Sequence, residues 1–450
     1  MFDRAILDND PLRRSLLLDF LSAALQAADP AQAVARSLHR DGCWLTVAGQ
    51  RIDLTSTRRV VIIALGKASP AMGRAAWDVL DGTDRRLLVI SDHPESLPTG
   101  ASFVWAGHPL PTVESEQGAA MALELAKDAG VDDLVLCLIS GGGSALAELP
   151  AQGLTLHDLR AVGRALLEGG VAIEPANIVR RHLSAFKGGR LAEATAPARM
   201  VTLVLSDVTG NPLSSIASGP TVADSSTCAD ALDVLTEHHL LDKIPDSVRV
   251  HLERGANGRI PDTAKSVPPN VITTVIGDLA ASVGALRRSA EEAGVPTTVA
   301  TTTLSGEAAP TAVRCVESSG TGLTVFAGET TVTVRGHGSG GRNQEGALAA
   351  AETLEARPAT VFAAFATDGI DGPTGAAGAI VDGETVGRGR ALGLDIRDYL
   401  MRNDSNRFLR ETGDLLITGP TGTNVGDIWL VLREAPRVDR QDDTVQSEIV

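Results

Sequence analysis

The residues of this chain best suited to chemistry cluster in a few glycine-bearing stretches. "ALGKAS" carries Lys67 one glycine after an apolar run. "LVLCLISGGGSALAELP" runs from a second apolar stretch into Ser140, Gly141, Gly142, Gly143 and Ser144. Three successive glycines allow close backbone approach and positive φ, and the helix start behind them turns N–H groups toward an anion. Ser144 alone would serve as a helix cap, but three glycines exceed what a cap needs, so the loop is expected to hold a phosphate or a carboxylate. The P-loop pattern is absent. "RRHLSAFKGGRLA" sets Lys187 and Arg190 around two glycines, either as anion contacts or as a solvated basic helix end. In "VLSDVTGNPLSSIASGPTVAD", Asp207 ends an apolar run and is a candidate Mg²⁺ ligand or base, or a turn residue.

Further along, "FAGETTVTVRGHGSGGRNQE" brings Glu329, Arg342, Asn343 and Glu345 together. Gly336, Gly338 and Gly341 satisfy G-x-G-x-x-G after "TTVTV", which raises a dinucleotide-binding alternative. The Arg-Asn-Gln-Glu that follows is a polar, charged helix start where that fingerprint wants apolar packing. His337 reads as a loop residue. "ATDGIDGPTGAAGAIVD" holds Asp368 and Asp371, and "LLITGPTGTNVGDIWLVL" holds Thr421, Thr423, Asn424 and Asp427. Carboxylates and hydroxyls beside several anion-binding loops point to metal-assisted phosphoryl transfer.

These loops need a scaffold, and the pattern around them supplies one. Strand-like runs "RRVVIIAL", "RRLLVIS", "ASFVWA", "DLVLCLIS" and "RMVTLVLS" alternate with helical stretches, the pattern of a parallel sheet covered by helices on both faces. One or two amphipathic helices between positions 11 and 39 are expected to pack on it. The polar stretch 253–270 reads as a boundary. A second series follows it: "VITTVIG", "VPTTVAT", "GLTVFAG", "TTVTVRG", "TVFAAFAT" and "DIWLVL". The expected organisation is therefore an N-terminal α/β domain at 1–252, a linker at 253–270, a C-terminal α/β domain at 271–433 and a polar tail at 434–450. Ligands of parallel sheets sit beyond the carboxyl ends of strands, and Lys67, Ser140, Asp207 and Asp368 all follow such runs.

Composition bounds the function. A formal net charge of −16 argues against nucleic-acid or anionic-membrane surfaces. The longest apolar runs are short of a membrane span, and no secretory signal is evident, so a cytoplasmic protein is expected. Cys43, Cys137, Cys228 and Cys315 are scattered, as free thiols would be. Of 40 basic residues only five are lysine, and two of those, Lys67 and Lys187, lie in glycine-bearing segments. A compact ammonium suits phosphate contact differently from a planar guanidinium.

Taken in order, these motifs resemble the glycerate 2-kinase family, whose C-terminal half is called the MOFRL domain. The resemblance spans roughly 16–432. It implies two α/β domains, the first Rossmann-like with a mainly parallel sheet, around an active site in the interdomain cleft. It also implies phosphorylation of D-glycerate at its 2-hydroxyl with ATP and Mg²⁺, giving 2-phosphoglycerate. Lys67, Arg342 and Asp207 match the family's catalytic lysine, arginine and strand-end aspartate. Nucleotide or substrate contacts are expected from Ser140 to Ser144, Lys187, Asn343, Thr423 and Asn424. Glu329 and Asp368 join Asp207 as candidate metal ligands, and a homodimer is expected. Asn211 and Thr112 depart from residues common in the family. The alternative activity is an NAD(P)H-dependent hydroxypyruvate reductase, which rests on the 336–341 glycines.

Overall fold

The computed structural model describes residues 2–357 and 359–434. Of the expected tail, 435–450 lie outside the described residues. The chain divides into two α/β units. The larger comprises Ser22–Ala285 and Pro420–Gly426; the smaller comprises Met1–Leu21, Leu286–Gly419 and the chain from Asp427.

An antiparallel sheet near the start of the larger unit, which the apolar pattern did not announce, joins β1 (Leu38–Asp41), β2 (Trp44–Val47) and β3 (Gln50–Asp53). Ala48 and Gly49 both take positive φ between β2 and β3, as a tight hairpin turn requires. The main sheet is built from β4 (Arg59–Leu65), β5 (Arg85–Ser91), β6 (Ser102–Trp105), β7 (Asp133–Ile139), β8 (Arg199–Leu205) and β9 (Val271–Gly277). Its order is β6-β5-β4-β7-β8-β9, with every pairing parallel. β4 and β7 are buried along their whole length, which is why they read as unbroken apolar runs. The strand order reverses direction between them. Loops at the carboxyl ends of these two strands therefore flank a crevice, the usual ligand position in such sheets.

The smaller unit holds β10 (Thr297–Leu304), β11 (Gly322–Gly328), β12 (Thr360–Ala366), β13 (Gly378–Asp382), β14 (Leu415–Leu416) and β15 (Asp427–Arg433). Their order is β10-β11-β15-β12-β13-β14, parallel only between β10 and β11. The helix Arg342–Leu354 buries Ala347, Ala350 and Ala351 in the same core as Phe362 and Trp429. A Cβ on Gly346 would stand 2.9 Å from the Trp429 ring, so glycine lets the helix lie on that indole. Phe362 meets the same ring edge-on at 5.6 Å between centroids.

Three expectations are corrected. "VITTVIG" does not open the second domain: as β9 it pairs with β8 and completes the first sheet. The chain passes between units near 285, within the helix Leu279–Glu292, and 253–270 stays in the larger unit. Second, the first 21 residues belong to the smaller unit. Arg14, with no exposed surface, donates to Asp382 and to Asp414 (2.6 Å), and Asn9 donates to the Thr412 carbonyl at 3.0 Å. Third, "TTVTVRG" is not a strand beyond an isolated bridge at Thr331. Its alternating residues lie in an extended loop rather than in the sheet.

Candidate active site

In the larger unit, glycines decide which side chains meet. Gly66 ends β4's run at φ +118°, and a Cβ there would sit 2.3 Å from Ser140 Oγ. The N–H of Lys67 donates to the Gly141 carbonyl at 2.9 Å, and that of Ala68 to Ser140 Oγ at 3.0 Å. The loops after β4 and β7 are thus stitched together at the switch point. A Cβ on Gly141 would lie 2.1 Å from Asp207 Oδ2; one on Gly142 would lie 3.2 Å from Lys67 Cγ and 3.3 Å from His108 Cδ2. Lys67, Asp207 and His108 therefore converge on the Gly141–Gly142 backbone. Burial, with the Lys67 ammonium adding to it, holds His108 below the ordinary imidazole range. His108 is thus a neutral donor or acceptor at neutral pH.

Behind this loop lies a cavity of about 480 Å³, lined by His108, Gly142, Ser144, Glu148, Arg180 and Lys187 among others. The volume suits a small-molecule ligand. Lys187 is fully buried and bonded to Glu148, and burial pushes its ammonium pKa down. Ser144 Oγ contacts Ser218 Oγ at 2.7 Å. Ala217 and Ser218 both hold φ above +45°, a strained turn for residues with side chains. That turn packs on Gly143, where a Cβ would lie 2.9 Å from Ala217 Cβ.

The two departures from the family pattern have local explanations. Thr112 starts the helix Val113–Lys127: its N–H donates to Ser115 Oγ (2.9 Å), and its own Oγ1 accepts from Gly107 N–H (3.1 Å). Asn211, at φ +54°, donates to Asp278 Oδ2 at 2.6 Å.

In the smaller unit, Arg342 begins its helix with its guanidinium held by carboxylates. Nε lies 2.5 Å from Asp427 Oδ2, Nη2 3.2 Å from Asp427 Oδ1 and Nη1 2.6 Å from Glu329 Oε1. Burial, reinforced by Asp371 and Glu329, raises the Asp427 carboxyl to about 7 in spite of Arg342. Burial alone would lower Arg342, but Asp427 and Glu329 hold it above its ordinary value. Asp371 caps the same helix. It accepts from the Asn343 N–H (3.1 Å) and the Gln344 N–H (2.8 Å), and from both side-chain amides. Asn343, expected to touch nucleotide or substrate, is fully buried and accepts from Trp429 Nε1 at 2.6 Å. Its place is beneath the loop, supporting it.

The remaining expected residues divide similarly. Asp368 Oδ1 accepts the Ile370 N–H at 3.0 Å, forming a turn. Thr423 Oγ1 donates to the Ala28 carbonyl at 2.7 Å, and Asn424 accepts the Gly426 N–H at 3.1 Å. Glu345 is bound to Asn403 at 3.0 Å. The 336–341 glycines are not a dinucleotide turn. They follow a loop rather than a strand, and Cβ atoms at Gly336 and Gly338 would strike the backbone at Arg402 and Asp404, within 2.6 Å. These glycines admit neighbouring chain, not pyrophosphate.

Sequence reasoning missed His108, Glu148 and the pairing role of Asp427. Nothing in their spacing marks them, because their partners are 39 to 85 positions away or lie across a loop. A separate group, His182, Cys228 and Asp262, lies within one metal's reach among the described residues. Asp262 Oδ1 already receives the Thr263 N–H (2.8 Å) and lies 2.8 Å from His182 Nε2 and 3.5 Å from the Lys265 ammonium. Those donors make it the hub of a partly buried polar network.

A Rossmann-ordered sheet, glycine loops joined at its switch point, a lysine on one of them and an aspartate from the loop after β8 set against the Gly141 backbone define an α/β enzyme built to handle anions. Comparison with known proteins agrees. The family described as "Domain of unknown function (DUF4147)" matches residues 16–253, and the MOFRL family matches 322–427. A glycerate 2-kinase of Pyrococcus horikoshii is 40% identical over 436 residues, covering 94% of this chain and 98% of its own. A D-glycerate 2-kinase of Thermotoga maritima is 38% identical, covering 93% and 98%. The crystal structure of a Thermotoga maritima glycerate kinase superposes with a TM-score of 0.83 at 36% identity, covering 94% of this chain and 100% of that one. The chain belongs to the glycerate 2-kinase family with a MOFRL domain.

Proposed function

We propose that the protein phosphorylates D-glycerate at its 2-hydroxyl, using ATP and Mg²⁺, to give 2-phosphoglycerate. The observation that carries this is the convergence of Lys67 and Asp207 on the Gly141–Gly142 backbone at the sheet's switch point. The names of the relatives supply the substrate. Lys67 neutralises charge on the transferring phosphoryl group, the main task in this chemistry, and Arg342, in the smaller unit, is a separate candidate for anion contact. Asp207 either accepts the hydroxyl proton or holds Mg²⁺ as the 2-oxygen attacks the γ-phosphorus of ATP, the bond to the bridging oxygen breaks and ADP leaves. The Gly141–Gly142 backbone of the Ser140–Ser144 loop offers N–H groups to phosphate oxygens, the Ser140 N–H being held by the Leu65 carbonyl, and Lys187 lies at the edge of the adjoining cavity. A carboxylate such as Asp207 fits a hard cation and would then hold Mg²⁺; Asp368, in the smaller unit, is a separate candidate ligand. Bound there, the ion supplies neutralisation of the nucleotide's phosphate oxygens.

ADP release from D-glycerate with ATP and Mg²⁺, set beside NADH and NADPH oxidation with hydroxypyruvate, tests the reading directly. Nicotinamide oxidation without ADP release would overturn it. Phosphorus NMR adds the regiochemistry: 3-phosphoglycerate as the first product would contradict attack by the 2-hydroxyl. A cytoplasmic homodimer belongs to the same reading, with Cys43, Cys137, Cys228 and Cys315 all free thiols. Light scattering of the purified protein checks the dimer. Among the described residues no helix is long and apolar enough to cross a membrane.

A further inference from the structure

The guanidinium of Arg342 has two unlike counter-ions. Asp427, the first residue of β15, leaves only 2% of its side chain exposed and grips the Nε and Nη2 positions from below. Glu329, just past the end of β11, is 58% exposed and touches Nη1 alone. Arg342 itself is 33% exposed. One guanidinium faces two carboxylates, and a third, Asp371, lies near enough to act on both Arg342 and Asp427. An anionic ligand arriving at Arg342 would find the Nη1 position already taken by the Glu329 carboxylate, which must withdraw for the ligand to bind. Asp427 has no room to leave. Glu329 needs only a rotation into water, with its backbone still held by the bond from its N–H to the Leu304 carbonyl at 2.8 Å.

We infer that Glu329 is a displaceable counter-ion: it covers the outer edge of Arg342 until an anionic substrate takes its place, while Asp427 is the fixed anchor that aims the guanidinium. Glu329 is thereby a positioning and affinity-setting residue, and the metal role expected for it passes to other carboxylates. The two edges of Arg342 do different work. The anchored edge keeps the donor's direction, and the released Nη1–H, with the remaining Nη protons, forms a fork that matches two oxygens of a phosphoryl or carboxylate group. This inference rests on Arg342 acting on substrate, as proposed above.

Full-length Glu329→Gln protein tests it, because glutamine keeps the size and removes the charge. The exchange of an exposed ion pair is small, so the expected change is about a two- to fivefold fall in KM for the anionic substrate that meets Arg342. Calorimetric titration of ATP and of D-glycerate, each alone, should show the same tightening for one of them. The tightening should vanish when Arg342→Gln is added, since no guanidinium is then left to uncover. Unchanged KM values and dissociation constants would overturn the inference. So would a raised Mg²⁺ requirement in Glu329→Gln, the signature of a lost metal ligand. Absence of any glycerate turnover in the wild type would instead strike the proposed function, and the two titrations would still read whether Glu329 competes with anions.

Discussion

Lysine and arginine are not equivalent at position 67. The side chain rises from a glycine turn onto the Gly142 Cα, where its Cγ already lies within van der Waals reach of a Cβ built there. A flexible point charge can follow phosphoryl oxygens through the transfer, whereas a planar fork fixes one geometry. Lys67→Arg should therefore lose most of its turnover despite conserving charge. Lys67→Ala should lose about 10²-fold or more in kcat, the cost of one preorganised donor. The side chain adds little packing, so both variants should melt with the wild type; full turnover in folded Lys67→Arg would move the chemistry elsewhere. Asp427 allows a pH test. Its folded value near 7 lies above its unfolded value of 3.8, so the folded state binds its proton more tightly. That increment of stability is complete below the unfolded value and is lost as pH rises through about 7. Asp427→Asn lacks it, so the stability deficit of the variant should shrink between pH 5 and 8. Denaturant titrations giving a deficit constant across that range would contradict the assignment.

At the scale of an element, the loop after β7 is shaped by what its glycines exclude. The atoms nearest a Cβ added at Gly141 are those of the Asp207 carboxylate, the end of a short side chain. Gly141→Ala should hence fold normally yet turn over poorly, because Asp207 is pushed off its position. Gly66→Ala is a different case. Its Cβ would lie 2.5 Å from the Ser140 carbonyl oxygen, at φ +118°, where no side chain rests comfortably. Thermal or urea unfolding should register a loss of roughly 1–3 kcal/mol from that strained residue. Equal stability in both variants would show that the two loops are not stitched as described.

At the scale of the molecule, the smaller unit depends on a residue from the far end of the chain. Arg14 is buried without exposed surface between Asp382 and Asp414, and Arg388 joins them at 3.0 Å and 2.8 Å. Removing one member of a buried ionic group strands the others, at a cost of about 3–5 kcal/mol. Arg14→Met should lower the free energy of unfolding by that amount, read from denaturant titrations, and deletion of the first 21 residues should destabilise the smaller unit. Arg14→Met with wild-type stability would make the network ornamental.

Much of this was legible beforehand. The runs that became β4, β5, β7, β8, β11, β12 and β15 announce themselves, because strands buried on both faces must be continuously apolar. Lys67, Ser140 to Ser144 and Asp207 were legible as a set because glycine loops after such runs are local signals. Membership of a sheet is not local. "VITTVIG" is a strand in either domain, and only its hydrogen-bonding edge against β8 assigns it. "TTVTV" alternates like a strand but pairs only at Thr331. The partners of Arg342 and Arg14 were equally hidden, since Asp427 lies 85 positions from the first, and Asp382 and Asp414 lie 368 and 400 from the second. Sequence alone determined which residue types stand at strand ends, because period and glycine spacing are written along the chain. Tertiary structure decided which charges face one another, because ion pairing is set by distance and burial across the fold.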